Sequence, residues 1–348
     1  MKRLLIIGLV LAAHVFFIYY LFQPENPAED DGGNDQPSQQ KVDEDGTNDD
    51  TAGHGTNPDS DDNQPTPRKN IELDIHSFNV ADTQLPENIA AAAKASGTGL
   101  LLDWDARAVL WQKNPGKPVP IASLTKMMTA LLVVEDIADN PSLSYKTQVK
   151  VTRNASNIGG SQVYLDPRET LSVDELLKCV MIFSANDAAY LLAEFFGQGN
   201  VDRFVERMNR RSNEMGLMTA RFLNPHGLDG DTPETTNHAS AWELAFIAGQ
   251  LLDYPRVVQW SSTWMSSIRG DDPRFKEFQL VNRNRLVNTV PGVNGMKTGY
   301  TKDAGWCIVA TCERNGRRII CVLTGCADKK ARNNLAERLI DWAYLQRP

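Results

Sequence analysis

The run IASLTKMMTALLVVED, residues 121–136, places Ser123 three positions before Lys126 at the head of an otherwise apolar helix. A spacing of three puts both heads on one helical turn. A lysine directed at a core is costly and needs a task. A serine hydroxyl is a weak nucleophile until a base takes its proton, and a lysine whose pKa falls through desolvation or nearby positive charge is such a base. The unpaired N–H groups of the helix start would add donors for an oxyanion. About sixty residues on, SANDAA carries Ser184 and Asn186, and far downstream GMKTGYT carries Lys297, Thr298 and Gly299. Ser184 and Lys297 can relay a proton to a leaving amine, while Asn186 can hold Lys126 and a substrate amide. Gly299 would let a substrate backbone lie against a strand edge as an added strand. Ser-x-x-Lys arises often by chance, but the three groups in this order are jointly specific.

These residues must be brought together by elements far apart in the chain. GTGLLLDWDARAVLWQKN predicts two short strands around Asp105–Ala106–Arg107, a hairpin feeding the Ser123 helix. Apolar periodicity predicts helices at about 171–182, 187–197, 200–215 and 240–252. Ser184 and Asn186 then fall between two helical segments. Strands return with VNGMKTGYT, GWCIVATCE and RRIICVLTGC, the last two joined by an Asn315–Gly316 turn. KKARNNLAERLIDWAYLQ closes the chain as an amphipathic helix with Leu335, Leu339, Ile340, Trp342 and Ala343 on its apolar face. Strands at both ends with helices between imply an α+β fold, an antiparallel sheet flanked by helices with an all-helical insertion.

The chain has 348 residues, 41% of them hydrophobic, enough for a sizeable core, and a net charge of -8. That charge is local: residues 23–70 hold thirteen acidic residues against Lys41, Arg68 and Lys69. The remainder shows no basic stripe, which speaks against a nucleic-acid partner. Residues 23–70 are built from Asp, Asn, Gly, Pro, Gln, Ser and Thr, a composition that cannot offset the entropy of ordering and predicts a linker. As a flexible coil it would reach roughly 35 to 40 Å. Before it, Lys2 and Arg3 precede the apolar run Leu4–Phe22, about 28 Å as a helix and close to a bilayer's hydrocarbon thickness. Bulky Tyr19, Tyr20, Leu21 and Phe22 lead straight into Gln23–Pro24, unlike the small-residue site of a cleaved signal. The expected division is therefore a transmembrane anchor with its basic end inside, or in the alternative a signal peptide, at 1–22, a disordered acidic linker at 23–84, and a catalytic domain at 85–348 outside.

The five cysteines, Cys179, Cys307, Cys312, Cys321 and Cys326, are odd in number. With a turn at Arg314–Arg317, Cys312 stands opposite Ile319 and Cys321 opposite Ala310. Cys312 and Cys321 become diagonal neighbours, a poor disulfide geometry, so small buried residues are expected. No Cys or His spacing suggests a metal. His226 in NPHGLDG is expected to shape a loop.

With ASLTKMMTA, SANDAAYLLAE, MNRRSNEMGLMTARFLNPHGLDG and VNGMKTGYTKDAGWCIVAT, roughly residues 85–345 resemble the serine-type D-alanyl-D-alanine carboxypeptidases, penicillin-binding proteins of low molecular mass. The resemblance implies the DD-peptidase/β-lactamase-like fold. It makes Ser123 the acylated nucleophile and Lys126 its base, with Ser184, Asn186, Lys297, Thr298 and Gly299 completing the site. The N–H groups of Ser123 and Tyr300 would form the oxyanion hole. Arg332 falls where similar enzymes hold the substrate's terminal carboxylate; alone, DKKAR also reads as a solvated helix start. The implied substrate is a peptidoglycan stem peptide ending in D-Ala-D-Ala, with β-lactams as covalent inhibitors and neither cofactor nor metal. Many relatives carry a C-terminal anchor; here the N-terminal span would hold the domain on the periplasmic side of the bacterial inner membrane. A β-lactamase reading is disfavoured, because the stretch EMGLMTARFLNPHG offers only Glu214 where class A enzymes have a water-activating glutamate. A non-catalytic β-lactam sensor would need a cytoplasmic effector larger than Met1–Arg3.

Overall fold

The computed structural model describes residues 72–270 and 273–346. The expected span Leu4–Phe22 and most of the acidic linker lie outside the described residues. Among the described residues no helix is long and apolar enough to cross a membrane.

Six strands form the main sheet: β1 (Asn79–Val80), β2 (Thr98–Asp103), β3 (Ala108–Lys113), β4 (Val293–Thr301), β5 (Gly305–Arg314) and β6 (Arg317–Cys326). Their spatial order is β1-β3-β2-β6-β5-β4, so strands from both ends of the chain interleave and β4 lies at one edge. All neighbours are antiparallel except the short β1, which pairs parallel with β3. The turn between β5 and β6 carries Asn315 and Gly316 at φ 53° and 76°, as a two-residue hairpin of the right twist requires. The register places Cys312 opposite Ile319 and Cys321 opposite Ala310, and all five cysteines are free and buried.

Alternation along the strands builds two apolar layers. Leu101, Ala310, Cys321 and Leu323 face α1 (Glu87–Ala93) and the C-terminal helix, while Leu100, Leu102, Val309 and Val322 join the larger core with the remaining helices. Those helices are α2 (Lys126–Asp139), α3 (Val173–Lys178), α4 (Asn186–Phe196), α5 (Val201–Glu214) and α6 (Ala241–Leu251); the C-terminal helix is α7 (Lys329–Leu345). The starts of α3, α5, α6 and α7 are set by side-chain caps. Ser172 with Glu175 and Ser240 with Glu243 form reciprocal capping boxes, and Asn200 and Asp328 cap α5 and α7.

Several elements depart from the sequence expectation. Residues 72–84, assigned to the linker, are part of the folded body: Leu73 N–H donates to Met215 O, Phe78 is buried, and β1 joins the sheet. Too few apolar residues in that stretch announce it. The helix expected at 171–182 begins at Val173, because Thr170–Ser172 pair as a strand with Gln148–Lys150. It then widens into a π-helix over Cys179–Phe183. A helix at Pro255–Ser262 and a hairpin of Met265–Ile268 with Phe278–Val281 were not anticipated, being short and without strong periodicity.

Candidate active site

Ser123 is not on α2 itself but on the 3-10 turn Ala122–Thr125 that leads into it, and α2 begins at Lys126. Strand β4 runs past this turn. A Cβ built on Gly299 would lie 3.0 Å from Ser123 N and 3.1 Å from Ala122 Cβ, so glycine is what permits the contact. The sequence assigned Gly299 to a substrate strand; the structure adds that it seats the nucleophile turn.

Lys126 is fully buried, and its Nζ has three partners: Ser123 Oγ at 3.0 Å, Asn186 Oδ1 at 2.6 Å and the carbonyl oxygen of His226 at 2.6 Å. Two of these can only accept. A neutral amine has two N–H donors and one lone pair, so donors to Asn186 and His226 leave the lone pair for the Ser123 hydroxyl. Burial brings the Lys126 pKa down from 10.5 to about 7, against the opposing pull of the Asp187 carboxylate. Asn186 is oriented by its other end, whose Nδ2 donates to Gly159 O at 2.8 Å.

Ser184 follows the π-helix in the left-handed region, at φ 71° and ψ 31°, a conformation uncommon for a residue with a side chain. Lys297, on β4, donates to Ser184 Oγ at 2.8 Å and to the Thr298 carbonyl at 2.8 Å. Desolvation lowers the Lys297 pKa well below its ordinary value, helped by the positive charges of Lys126, Arg283 and Arg332. Two buried lysines, each against a serine hydroxyl, thus share one site.

Arg332, on α7, is buried beside it. Its Nη1 donates to Cys307 O at 3.1 Å, Nε and Nη2 donate to Asn333 Oδ1, and its guanidinium lies 5.7 Å from the Trp306 ring centroid. All its hydrogen-bond partners are neutral, and burial lowers its pKa to about 10. It is no solvated helix start. Tyr300 is 53% exposed and stacks on Trp306 with centroids 4.3 Å apart. Thr298 is nearly buried between Lys297 and Gly299 on the edge strand. Glu214, the lone acid of its stretch, faces Arg211 at 3.6 Å.

Sequence reasoning missed the His226 and Gly159 carbonyls, for which no side-chain signal exists. His226 does shape its loop, its Nδ1 accepting from Leu228 N–H at 3.2 Å. Burial and the Lys126 charge hold that imidazole at a pKa of about 3.

Residues 84–327 match the family of peptidases S11 described as D-alanyl-D-alanine carboxypeptidase. The chain belongs to this family. It is 35% identical over 270 residues to the D-alanyl-D-alanine carboxypeptidase DacF of Bacillus subtilis strain 168, covering 78% of this chain and 67% of that one. With DacA of Haemophilus influenzae it shares 31% identity over 278 residues, again 78% and 67% of the two chains. Penicillin-binding protein D2 of Listeria monocytogenes, solved with ampicillin bound, has a TM-score of 0.63 at 27% identity, over 72% of this chain and 98% of that chain. Penicillin-binding protein 5 of H. influenzae gives 0.65 at 31% identity, over 72% and 71%. The fold is that of the α+β penicillin-binding DD-peptidases, and the chain is a serine hydrolase of the D-alanyl-D-alanine carboxypeptidase kind.

Proposed function

We propose that Ser123 Oγ attacks the carbonyl of the penultimate D-alanine of a peptidoglycan stem peptide, passing its proton to Lys126 Nζ. The tetrahedral oxyanion is held by the N–H groups of Ser123 and Tyr300. As the C–N bond breaks, Ser184 and Lys297 deliver a proton to the leaving D-alanine amine, and Asn186 keeps both Lys126 and the peptide amide in place. Thr298 and Arg332 receive the terminal carboxylate, which would supply the buried guanidinium with the anion its neutral partners do not. Water then hydrolyses the Ser123 ester. The observation that carries this reading is Lys126 Nζ, fully buried and 3.0 Å from Ser123 Oγ, within reach of the proton it must take. A D-Ala-D-Ala peptide should release free D-alanine with the purified protein and not with Ser123→Ala. Fluorescent penicillin should label the wild type covalently; labelling of folded Ser123→Ala would refute the assignment. The stretch EMGLMTARFLNPHG carries only Glu214, which faces Arg211, so the penicilloyl-enzyme should persist, and rapid nitrocefin turnover would count against the scheme.

We infer the working place of the domain from the N-terminal sequence. Leu4–Phe22 has the length and apolarity of a span, and Lys2 and Arg3 favour an inside N-terminus. The polar stretch after it would tether the domain on the periplasmic side, free in orientation and confined in distance. Membrane fractionation tests this: native protein found mainly soluble, with an N-terminus beyond Phe22, would replace the anchor by a cleaved signal.

A further inference from the structure

Asn186 is held at three points, and two belong to one irregular segment. Its backbone N–H donates to Ser161 O at 2.7 Å, its Nδ2 donates to Gly159 O at 2.8 Å, and its Oδ1 meets Lys126. Residues 159–165 have neither helix nor strand to fix them. Their shape comes from charged side chains on either side. From the inner side, the Asp187 carboxylate, fully buried, accepts from Val163 N–H at 3.3 and 3.2 Å, Leu165 N–H at 3.1 Å and Ala188 N–H at 2.9 Å. From the other side, Arg269 donates through Nη1 to Val163 O and through Nη2 to Tyr164 O, both at 3.0 Å. Glu169 neutralises Arg269 at 2.6 Å and also accepts from Asp166 N–H at 2.6 Å.

We propose that Asp187 is a positioning residue for the Lys126 base: its carboxylate fixes segment 159–165 and, through that segment's carbonyls, the amide of Asn186. A buried carboxylate whose hydrogen bonds come from backbone N–H groups is expensive to keep, which is reason to look for what it does. It sits in sequence directly beside Asn186. Burial pushes its pKa up, and the N–H groups of Val163, Leu165 and Ala188 oppose that by favouring the ionised form. It also supplies negative charge to the interior around Lys126. The other charged or titratable groups there are His226 and Lys297 around Lys126, and Cys179 and Arg269 around Asp187. Of these, Asp187 is the one whose charge favours protonated Lys126.

This inference rests on the Ser123–Lys126 reading, and two substitutions separate its parts. In Asp187→Asn the N–H groups of Val163 and Leu165 meet an uncharged amide, the segment loosens and Asn186 loses its orientation. Acylation by fluorescent penicillin should fall about 10 to 100-fold, the range that a displacement near 1 Å costs. The carboxylate raises the Lys126 pKa, so removing it lowers that pKa, and the acid limb of acylation should move to lower pH. Arg269→Gln releases the same segment from the other side but keeps the Asp187 charge. It should slow acylation and leave the acid limb in place. In the wild-type chain the Val163 and Leu165 amides should exchange with deuterium as slowly as those of α4. Ser123→Ala serves as the control: if it still labels, the reading of the site fails, whatever the other variants do. If it is silent while Asp187→Asn acylates at the wild-type rate, or loses rate with its acid limb unmoved, the positioning role of Asp187 is wrong. Exchange of the Val163 and Leu165 amides at the rate of an unstructured loop overturns it without recourse to any variant.

Discussion

Acylation should report the ionisation of Lys126 directly. An ordinary lysine with a pKa of 10.5 would be neutral in only about three molecules per ten thousand at pH 7, whereas a pKa of about 7 makes roughly half of them neutral. The gain in available base is about 10³-fold, created by burying the amine. The sign is fixed by the chemistry: the deprotonated amine is the active form, so rate is lost on acidification. The second-order rate of labelling by a fluorescent penicillin should be flat above about pH 8 and fall tenfold per unit well below pH 7. At pH 5 it should be about 1% of the plateau. The charge of Lys126 helps to depress Lys297, so the two titrations are linked and the limb measures the pair rather than one amine. The assay runs from pH 5 to 10 at constant ionic strength, with aliquots returned to pH 7.5 to confirm that the enzyme survives. A rate still climbing tenfold per unit between pH 9 and 10 would mean an unperturbed lysine. A flat profile down to pH 5 would mean that the base is not a lysine at all.

Other expectations follow from single contacts. Gly299→Ala adds a Cβ 3.0 Å from Ser123 N, which should push β4 off the nucleophile turn and slow acylation about 10 to 100-fold with little change in melting temperature, read by penicillin labelling and thermal denaturation. Gly160→Ala places a Cβ 2.6 Å from Asn186 Nδ2 at a backbone φ of +78°, so acylation should fall and the Lys126–Asn186 contact should open in a crystal structure of the variant. Glu135→Gln leaves the buried Arg211 guanidinium without the carboxylate that now accepts from its Nε and Nη2, and should cost about 3 to 5 kcal/mol in urea denaturation. Glu135 is nine residues along α2 from Lys126, about 13 Å, so acylation by the still-folded variant should be unchanged.

What could be read in the sequence, and what could not, divides along a physical line. Ser123, Lys126, Ser184, Asn186 and Lys297 announce themselves because catalysis needs their side chains, and the strands at the end of the chain are rich in β-branched residues around an Asn315–Gly316 turn, enough to give the hairpin and its register. The groups that make those side chains work are mostly backbone. His226 and Gly159 contribute carbonyl oxygens, which every residue owns, so no spacing of residue types marks them. Segment 159–165 is irregular for the same reason: its shape is dictated by Asp187 and Arg269, which lie outside it in sequence, and not by any periodicity within it. Ser184 takes a left-handed conformation that its residue type disfavours, and only the π-helix before it and the Lys297 bond beside it explain why it stays there. A lysine directed at a core looked like a cost in search of a cause. The cause is a fully buried amine, 3.0 Å from the Ser123 hydroxyl and held by the Asn186 and His226 oxygens, whose charge burial disfavours. That arrangement depends on carbonyl positions, so loosening the loops that carry them should slow acylation before it changes the fold.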